Sequence, residues 1–339
     1  MPEFASVPLG VTYASLPALG ADGIATVARA AGDLGYSSFW TAETVGLEAF
    51  STLAAAGAAA PGLDLGTGVL ALQLRTPMLA AMGAATLQAL HPEREVLLGV
   101  GVSSPVVVGQ WHGAEYGTRP IAEVREYLTL LRACLSGESV AFDGDHFHCR
   151  RFRLGVRLGG QRPKIVLGAL NPRMLSLAGE LADGVVLNYL PASAVPWCIE
   201  QVRAGEATAG REPGACRILA YVHLGVCDRA DAVRNAQKDL FGYIVVDAYA
   251  DAFRRAGFAD EVELVRSRHA DRDRDGALDA VSDRMVDSID IVGDADTVRA
   301  GLDSYVDAGV EQPIVMPLPW GSDRLQIVLD TLAAAIGSR

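Results

Sequence analysis

The sequence predicts a closed parallel (β/α)8 TIM barrel, and three observations carry that prediction. Eight apolar runs of strand length alternate with helical patterns along nearly the whole chain. Each run reads as buried on both faces, without the half-polar alternation of a strand that has one wet side. The 339 residues show no low-complexity linker, composition break or clear internal repeat, so residues 1–339 read as one domain of barrel size. A doubly wound open sheet is the alternative architecture.

Val7 to Tyr13 is the first apolar strand, followed by a helical stripe from Ile24 to Leu34 that Gly35 closes. Ser37 to Thr41 follows, with strand-prone Phe39 and Trp40. An Ala-rich helix over 47–60 ends at Pro61-Gly62, and LDLGTGVL (63–70) makes the third strand. A helix from Pro77 to about Leu90 precedes the fourth, Glu95 to Gly101. A longer loop then carries Trp111 and His112 before a helix from Ile121 to Leu135. Val140 to Phe142 and His146 to Cys149, joined through Asp143-Gly144, read as an inserted hairpin.

The stretch PKIVLGALNPRMLSLAGELADGVVLN (163–188) supplies the fifth and sixth strands around a helix. Lys164 to Leu167 is the first of these, and Gly168 frees the backbone at its carboxyl end. Asn171 stands where a helix cap is needed, and Pro172 fits the first turn. A strand ending in glycine that opens a helix with free N–H groups is an anion cradle; a βαβ turn without ligand is the plainer alternative. Helix 193–208 leads to the seventh strand, Arg217 to Val226; Pro313 to Met316 is the eighth, with a closing helix from Asp323 to Ala335. Residues 229–310 are too long for one helix and predict a helical insertion over one end of the barrel.

No apolar run approaches the roughly 20 residues of a membrane helix. MPEFASVPLG lacks the basic and apolar regions of a signal peptide. Five scattered cysteines without a CxxC pair predict reduced thiols and a cytoplasmic protein. A net charge of −12 without a basic block argues against nucleic-acid and anionic-membrane partners and leaves a small-molecule substrate.

In such barrels chemistry sits at the carboxyl ends of the strands. Those ends are poor in metal ligands and nucleophile–base pairs, and no metal site is expected. Lys164 starts its strand, at the wrong end for a Schiff base, and no HxH follows the first strand. The glycine- and amide-rich remainder suits a flat cofactor that brings its own reactivity. Glu43 is the one carboxylate just beyond a central strand; it is a catalytic candidate, and capping or ion-pairing the next helix is its structural alternative. Thr44 reads as a cap. His112 is a candidate acid, weighed against a surface hydrogen-bonding role. His146 and His148 lack a third ligand, and DRDRDGALD (271–279) resembles a calcium loop but has Ser282 at its twelfth position and four crowding arginines.

GYSSFWTAE (35–43), LGTGVLALQLRTP (65–77), LLGVGV (97–102) and the 163–188 stretch, in this order, resemble the bacterial-luciferase-like flavoprotein family. Within it they are most similar to the deazaflavin (coenzyme F420)-dependent oxidoreductases, the branch that includes methylene-tetrahydromethanopterin reductase. The likeness extends to DIVGDADTVRAGLDSYVDAGV (290–310). It implies a (β/α)8 barrel, often a homodimer, that binds a flavin or 5-deazaflavin at its carboxyl face. The implied cofactor contacts are Val102, Ser103 and Ser104, and Gly168, Ala169, Leu170 and Asn171. A bulge, often with a non-prolyl cis peptide, is implied within Val69 to Leu72, bringing in Leu70 and Ala71; Tyr13 joins from the first strand. Where several relatives carry an acid followed by His, this chain has Glu43-Thr44. The resemblance implies hydride transfer between reduced coenzyme F420 and a small organic substrate, with Glu43 beside the ring. An FMN-dependent two-component monooxygenase, and a flavin- or deazaflavin-binding protein without turnover, are the alternatives.

Overall fold

The computed structural model describes residues 7–337; most of the amino-terminal segment read for a signal peptide lies outside the described residues. Twelve strands are described: β1 (Gly10–Thr12), β2 (Ser38–Thr41), β3 (Asp64–Thr67), β4 (Leu70–Ala71), β5 (Val96–Gly101), β6 (Val140–Asp143), β7 (His148–Phe152), β8 (Lys164–Gly168), β9 (Gly184–Leu187), β10 (Arg217–Val226), β11 (Asp290–Gly293) and β12 (Gln312–Pro317). Eight of them pair in parallel in the order β1-β2-β3-β5-β8-β9-β10-β12. Gly10 opposite Ile314 then joins β12 to β1 and closes the sheet. The architecture is the (β/α)8 barrel that the alternating runs predict.

Side chains alternate across each strand, so two apolar layers form. Inside the barrel lie Trp40, Leu97, Val166, Val186, Leu219, Tyr221 and Ile314. Between barrel and helices lie their sequence neighbours, among them Phe39, Leu98, Ile165, Leu167, Val185 and Val222. With both faces buried, every strand reads as continuously hydrophobic. Trp40 fits only because Gly66 beside it has no side chain: a Cβ there would run into the indole ring.

Five helices (Arg229–Ile244, Asp247–Arg255, Ala259–Ala270, Arg274–Asp279 and Asp283–Ile289) form the insertion after β10. They share an apolar cluster that includes Leu240, Phe253, Val262 and Met285, and Tyr189 and Trp320 reach into it from the barrel's own loops. The chain is back on the barrel earlier than residue 310. β11 adds a parallel strand beside the end of β10, His223 opposite Asp290, and helix Ala295–Asp307 packs against the barrel, Val298 and Leu302 lying in its outer layer.

Other departures are local. The run 63–70 is two pieces: β3 stops at Thr67, the Gly68–Val69 peptide is cis, and β4 resumes at Leu70 against β5. The cis bond lies at the leading edge of the implied 69–72 range. The expected loop after β5 coils as a π-helical segment, Val106–Trp111. In the hairpin β6–β7 only His148 is on a strand. His146 sits in the turn, where the Glu126 carboxylate accepts from the amides of Asp145, His146 and Phe147. Residues 271–279 are a helix junction in which Asp273 caps the following helix while Arg268 and Arg234 pair its acids. Among the described residues no helix is long and apolar enough to cross a membrane, and all five cysteines are free.

Candidate functional site

The carboxyl ends of β3, β5 and β8 form a glycine-walled cleft at the barrel mouth. Gly101 and Gly168 stand side by side there. A Cβ built on Gly101 would lie 2.9 Å from Val69 Cγ2, and one on Gly168 would lie 3.3 and 3.4 Å from the two Val69 methyls. Val69 therefore leans over both glycines from the cis peptide. The cleft floor is polar at one point, where the Tyr221 hydroxyl donates to the Gly68 carbonyl at 2.7 Å. A Cβ at Gly68 would collide with that hydroxyl. The glycines leave a flat wall with the Val69 side chain packed against it, here termed the slot.

Two backbone turns border the slot. Gly168 to Asn171 leads into helix Pro172–Leu181, where the Asn171 carbonyl accepts from Met174 and Leu175 N–H and the Arg173 N–H has no partner among the described residues. Ser103 has φ +52, and the Ser104 hydroxyl accepts from Val107 N–H at 3.3 Å. Asn171 does not cap its helix through its side chain, contrary to the sequence expectation. Its carboxamide instead donates to the Ala248 carbonyl at 3.3 Å and accepts from Arg255. Arg255, from the insertion, also donates to the Leu170 carbonyl at 3.2 Å and lies over the Trp197 ring. A cation thus stands beside the amide-lined turn, next to a groove of about 260 Å³ that Leu170, Trp197 and Arg255 help to line. A helix start and a guanidinium suit a phosphate or carboxylate.

The remaining expected residues divide. Ala71 pairs with Gly101 across β4–β5, and Val102 is half-buried at the end of β5. Leu70 is buried in the outer layer. Tyr13 is in that layer too: strand alternation turns Ala14 toward the interior and Tyr13 toward the helices, where its hydroxyl donates to the Gly20 carbonyl at 2.8 Å. Glu43 is tied up. Its carboxylate accepts from Arg75 at 2.7 and 3.1 Å and from Ala49 N–H at 3.0 Å, and Arg75 also pairs with Glu48. The charge of Arg75 and two carboxylates thus anchors helix Ala49–Ala59, which Glu48 caps. His112 Nε2 lies 2.6 Å from the Thr44 carbonyl, so the π-helical segment is tethered to the β2 loop.

A second polar group at the mouth went unread in the sequence. Asn188 continues the inward positions of β9 after Val186, and His223 continues those of β10 after Leu219 and Tyr221. His223 lies 2.9 Å from Asp290 and 2.8 Å from Asn188. Tyr189 packs edge-on against His223 and donates to Asp239 at 2.8 Å. Donor atoms of His223, Asp239 and Asp290 all lie within 4.8 Å of one another. Burial holds the His223 ring down to about 4 and lifts Asp239 to about 6. A histidine inside the apolar run RILAYVHLGV was the available signal, because a buried polar side chain needs a partner. Asp239 and Asp290 carried none, lying 16 and 67 residues further on.

With this geometry in place, comparison with known proteins gives a consistent answer. The family model for luciferase-like monooxygenases matches residues 7–312. A Mycobacterium tuberculosis protein named as a coenzyme F420-dependent oxidoreductase is 32% identical over 313 residues, 86% of this chain and 89% of its own. The 5,10-methylenetetrahydromethanopterin reductase of Archaeoglobus fulgidus is 29% identical over 271 residues, 77% and 79% of the two chains. Among solved structures, the coenzyme F420-dependent tetrahydromethanopterin reductase of Methanopyrus kandleri superposes with a TM-score of 0.82 at 23% identity, covering 98% of this chain and 99% of its own. That last likeness concerns the fold.

Proposed function

From its place in the luciferase-like monooxygenase family, to which the chain belongs, we propose that it is an oxidoreductase that moves hydride between coenzyme F420 and a small organic substrate. The observation that carries this reading is the slot under Val69, with Gly101 and Gly168 bare beside it and an amide-lined helix start at its edge. The residues present fit the group. A first carbon at either glycine would meet Val69, only a larger side chain would project into the mouth, and the turns Val102–Ser104 and Gly168–Asn171, with Arg255, suit its phosphate. When bound, a 5-deazaflavin supplies a hydride-bearing carbon with little reactivity toward oxygen.

The protein's tasks are then positional. Val69 backs the ring from one face, Ala71, Gly101 and Gly168 leave it room, and the insertion roofs the mouth and limits water. Glu43, bound by Arg75 and the Ala49 amide, serves as the anchor of the β2 loop in this reading, and His112 secures the same loop. The substrate has an electrophilic carbon and enters from the side away from Val69. The whole chain acts as one barrel domain, and two copies associate as a homodimer.

The family's description as monooxygenases favours a second reading, oxygen activation on FMN. Anaerobic titration of the purified protein with oxidised F420 and with FMN, followed by absorbance, separates the two. Tighter binding of the deazaflavin is expected. Tighter binding of FMN overturns the first reading in favour of the second.

A further inference from the structure

The network around His223 has a proton count that its geometry fixes. Asn188 Oδ1 faces the Tyr189 backbone N–H at 3.0 Å. A backbone N–H only donates, so the atom facing it is the amide oxygen and the NH2 group points the other way. That same oxygen lies 2.8 Å from His223 Nε2, which must therefore carry hydrogen. On the other side of the ring, Nδ1 lies 2.9 Å from Asp290 Oδ1. Two bare lone pairs repel at that distance, so a proton lies between them.

Its place is on the acid. His223 and Asp290 are 1% and 0% exposed, and no arginine or lysine pairs with either among the described residues. Among the described residues Asp290 Oδ2 has no hydrogen-bond partner. Ionised, Asp290 would leave half of a buried charge unpaired; as a neutral acid it leaves only a carbonyl oxygen. The groups packed around the pair add negative charge or none: Asp239 and Tyr243 from helix Arg229–Ile244, Tyr189 from the β9 loop, and Tyr305 from helix Ala295–Asp307. Burial also holds the Asp290 carboxyl well above the usual range and the ring down to about 4.

The consequence falls on Asn188. Its oxygen is occupied twice, its rotamer is locked, and its half-buried NH2 group takes no partner among the described residues. Register places it beside the slot, since Gly168 is opposite Val186, two residues before it on the same face. The following residue, Tyr189, is held at φ +51, a conformation that side chains other than glycine seldom adopt and that strand ends at ligand sites retain.

We propose that Asn188 is a ligand-binding residue whose NH2 group donates to a carbonyl oxygen on the pyrimidine edge of the bound ring, and that the neutral His223–Asp290 pair is its positioning device. The proposal rests on the reading of the slot as a ring site. It does not depend on which ring, because flavin and 5-deazaflavin carry the same pyrimidine carbonyls. Asn188→Leu should weaken by about tenfold, the loss of one hydrogen bond, the affinity for whichever of F420 and FMN the wild type binds. Asp290→Asn, whose amide donates to Nδ1 without a titratable proton, should keep wild-type affinity, while Asp290→Leu should lose part of it. Independently of any ligand, 15N NMR of the histidine rings in the apoprotein should show His223 as the neutral Nε2–H form from pH 5 to 8.

Unchanged ring affinity in a folded Asn188→Leu variant overturns the binding role. An imidazolium signature for His223, or a stoichiometric zinc or manganese ion held by native mass spectrometry and lost in Asp290→Asn, overturns the neutral pair. Preference of the wild type for FMN defeats the deazaflavin reading alone and leaves this one standing.

Discussion

Asp239 shows how one buried group sets a pH dependence. Burial lifts its carboxyl from 3.8 to about 6, and the hydrogen bond from the Tyr189 hydroxyl partly offsets this. A carboxyl raised in the folded state favours folding while both states are protonated, and that contribution disappears as pH rises through about 6. His223 runs the other way: its lowered ring contributes fully above 6.5 and loses that contribution as pH falls toward 4. Asp239→Asn removes the first effect and keeps an acceptor for Tyr189. Its melting temperature should therefore exceed the wild type's at pH 7.5 and fall back toward it at pH 5. A constant offset between the two across that range would show that Asp239 does not titrate there. At this scale the sequence was only partly informative. Glu43 could be seen as the central carboxylate, but its hold on Arg75 depends on a contact across 32 residues. Tyr13 could be seen at a strand end, but a one-residue change of parity separates the interior from the helix layer. Asn188 ends the sixth apolar run without a local signal of its role, because its partner His223 comes from β10.

Elements were far more legible than their junctions. Each barrel strand appears within an apolar run, because burial on both faces demands one, and those of β3, β5, β8 and β9 end in glycine or asparagine. The break in 63–70 had no local signal: LDLGTGVL is uniformly strand-like, and only packing against β5 and Tyr221 divides it. β11 was equally hidden, being four residues that follow an insertion helix without a turn signal. The β8 turn is the element to which the sequence assigns the most specific chemistry, and it can be tested there. A first carbon at Gly168 meets the Val69 methyls at 3.3 and 3.4 Å, which a small shift of Val69 relieves, and the Val100 carbonyl at an ordinary 3.8 Å. Larger side chains must enter the slot. Gly168→Ala should bind the ring within a few-fold of wild type, whereas Gly168→Leu should lose at least about tenfold, with both melting near the wild-type temperature, since surrounding core contacts are untouched. Equal affinities for the two variants would place the ring elsewhere.

For the whole molecule, strand counting leaves closed and open sheets undecided, because closure depends on pairing Gly10 with Ile314 across 304 positions. The surface makes a stronger statement about assembly. Helices Ala49–Ala59 and Pro77–Leu90 contain no charged residue along their entire lengths. A helix that is apolar all round is ordinarily covered. Here the solvent side of the second carries Leu79, Met82, Thr86 and Leu90, with the three hydrophobic ones 47, 48 and 61% exposed. Those positions lie three to four residues apart and form one stripe. The two helices also fit closely, for a Cβ at Gly83 would lie 2.6 Å from the Phe50 ring. They therefore present one joint apolar face on a chain whose net charge is −12. A second copy meeting this face about a two-fold axis would cover both stripes at once, and each of these half-exposed side chains so buried contributes on the order of 1 kcal/mol. The double variant Leu79→Glu/Met82→Glu would place four carboxylates against one another in that interface. Analytical ultracentrifugation should give a dimer for the wild type and a monomer for the variant, with circular dichroism showing the helices retained. A wild-type monomer at micromolar concentration, or a variant that remains dimeric, would remove this face from the assembly.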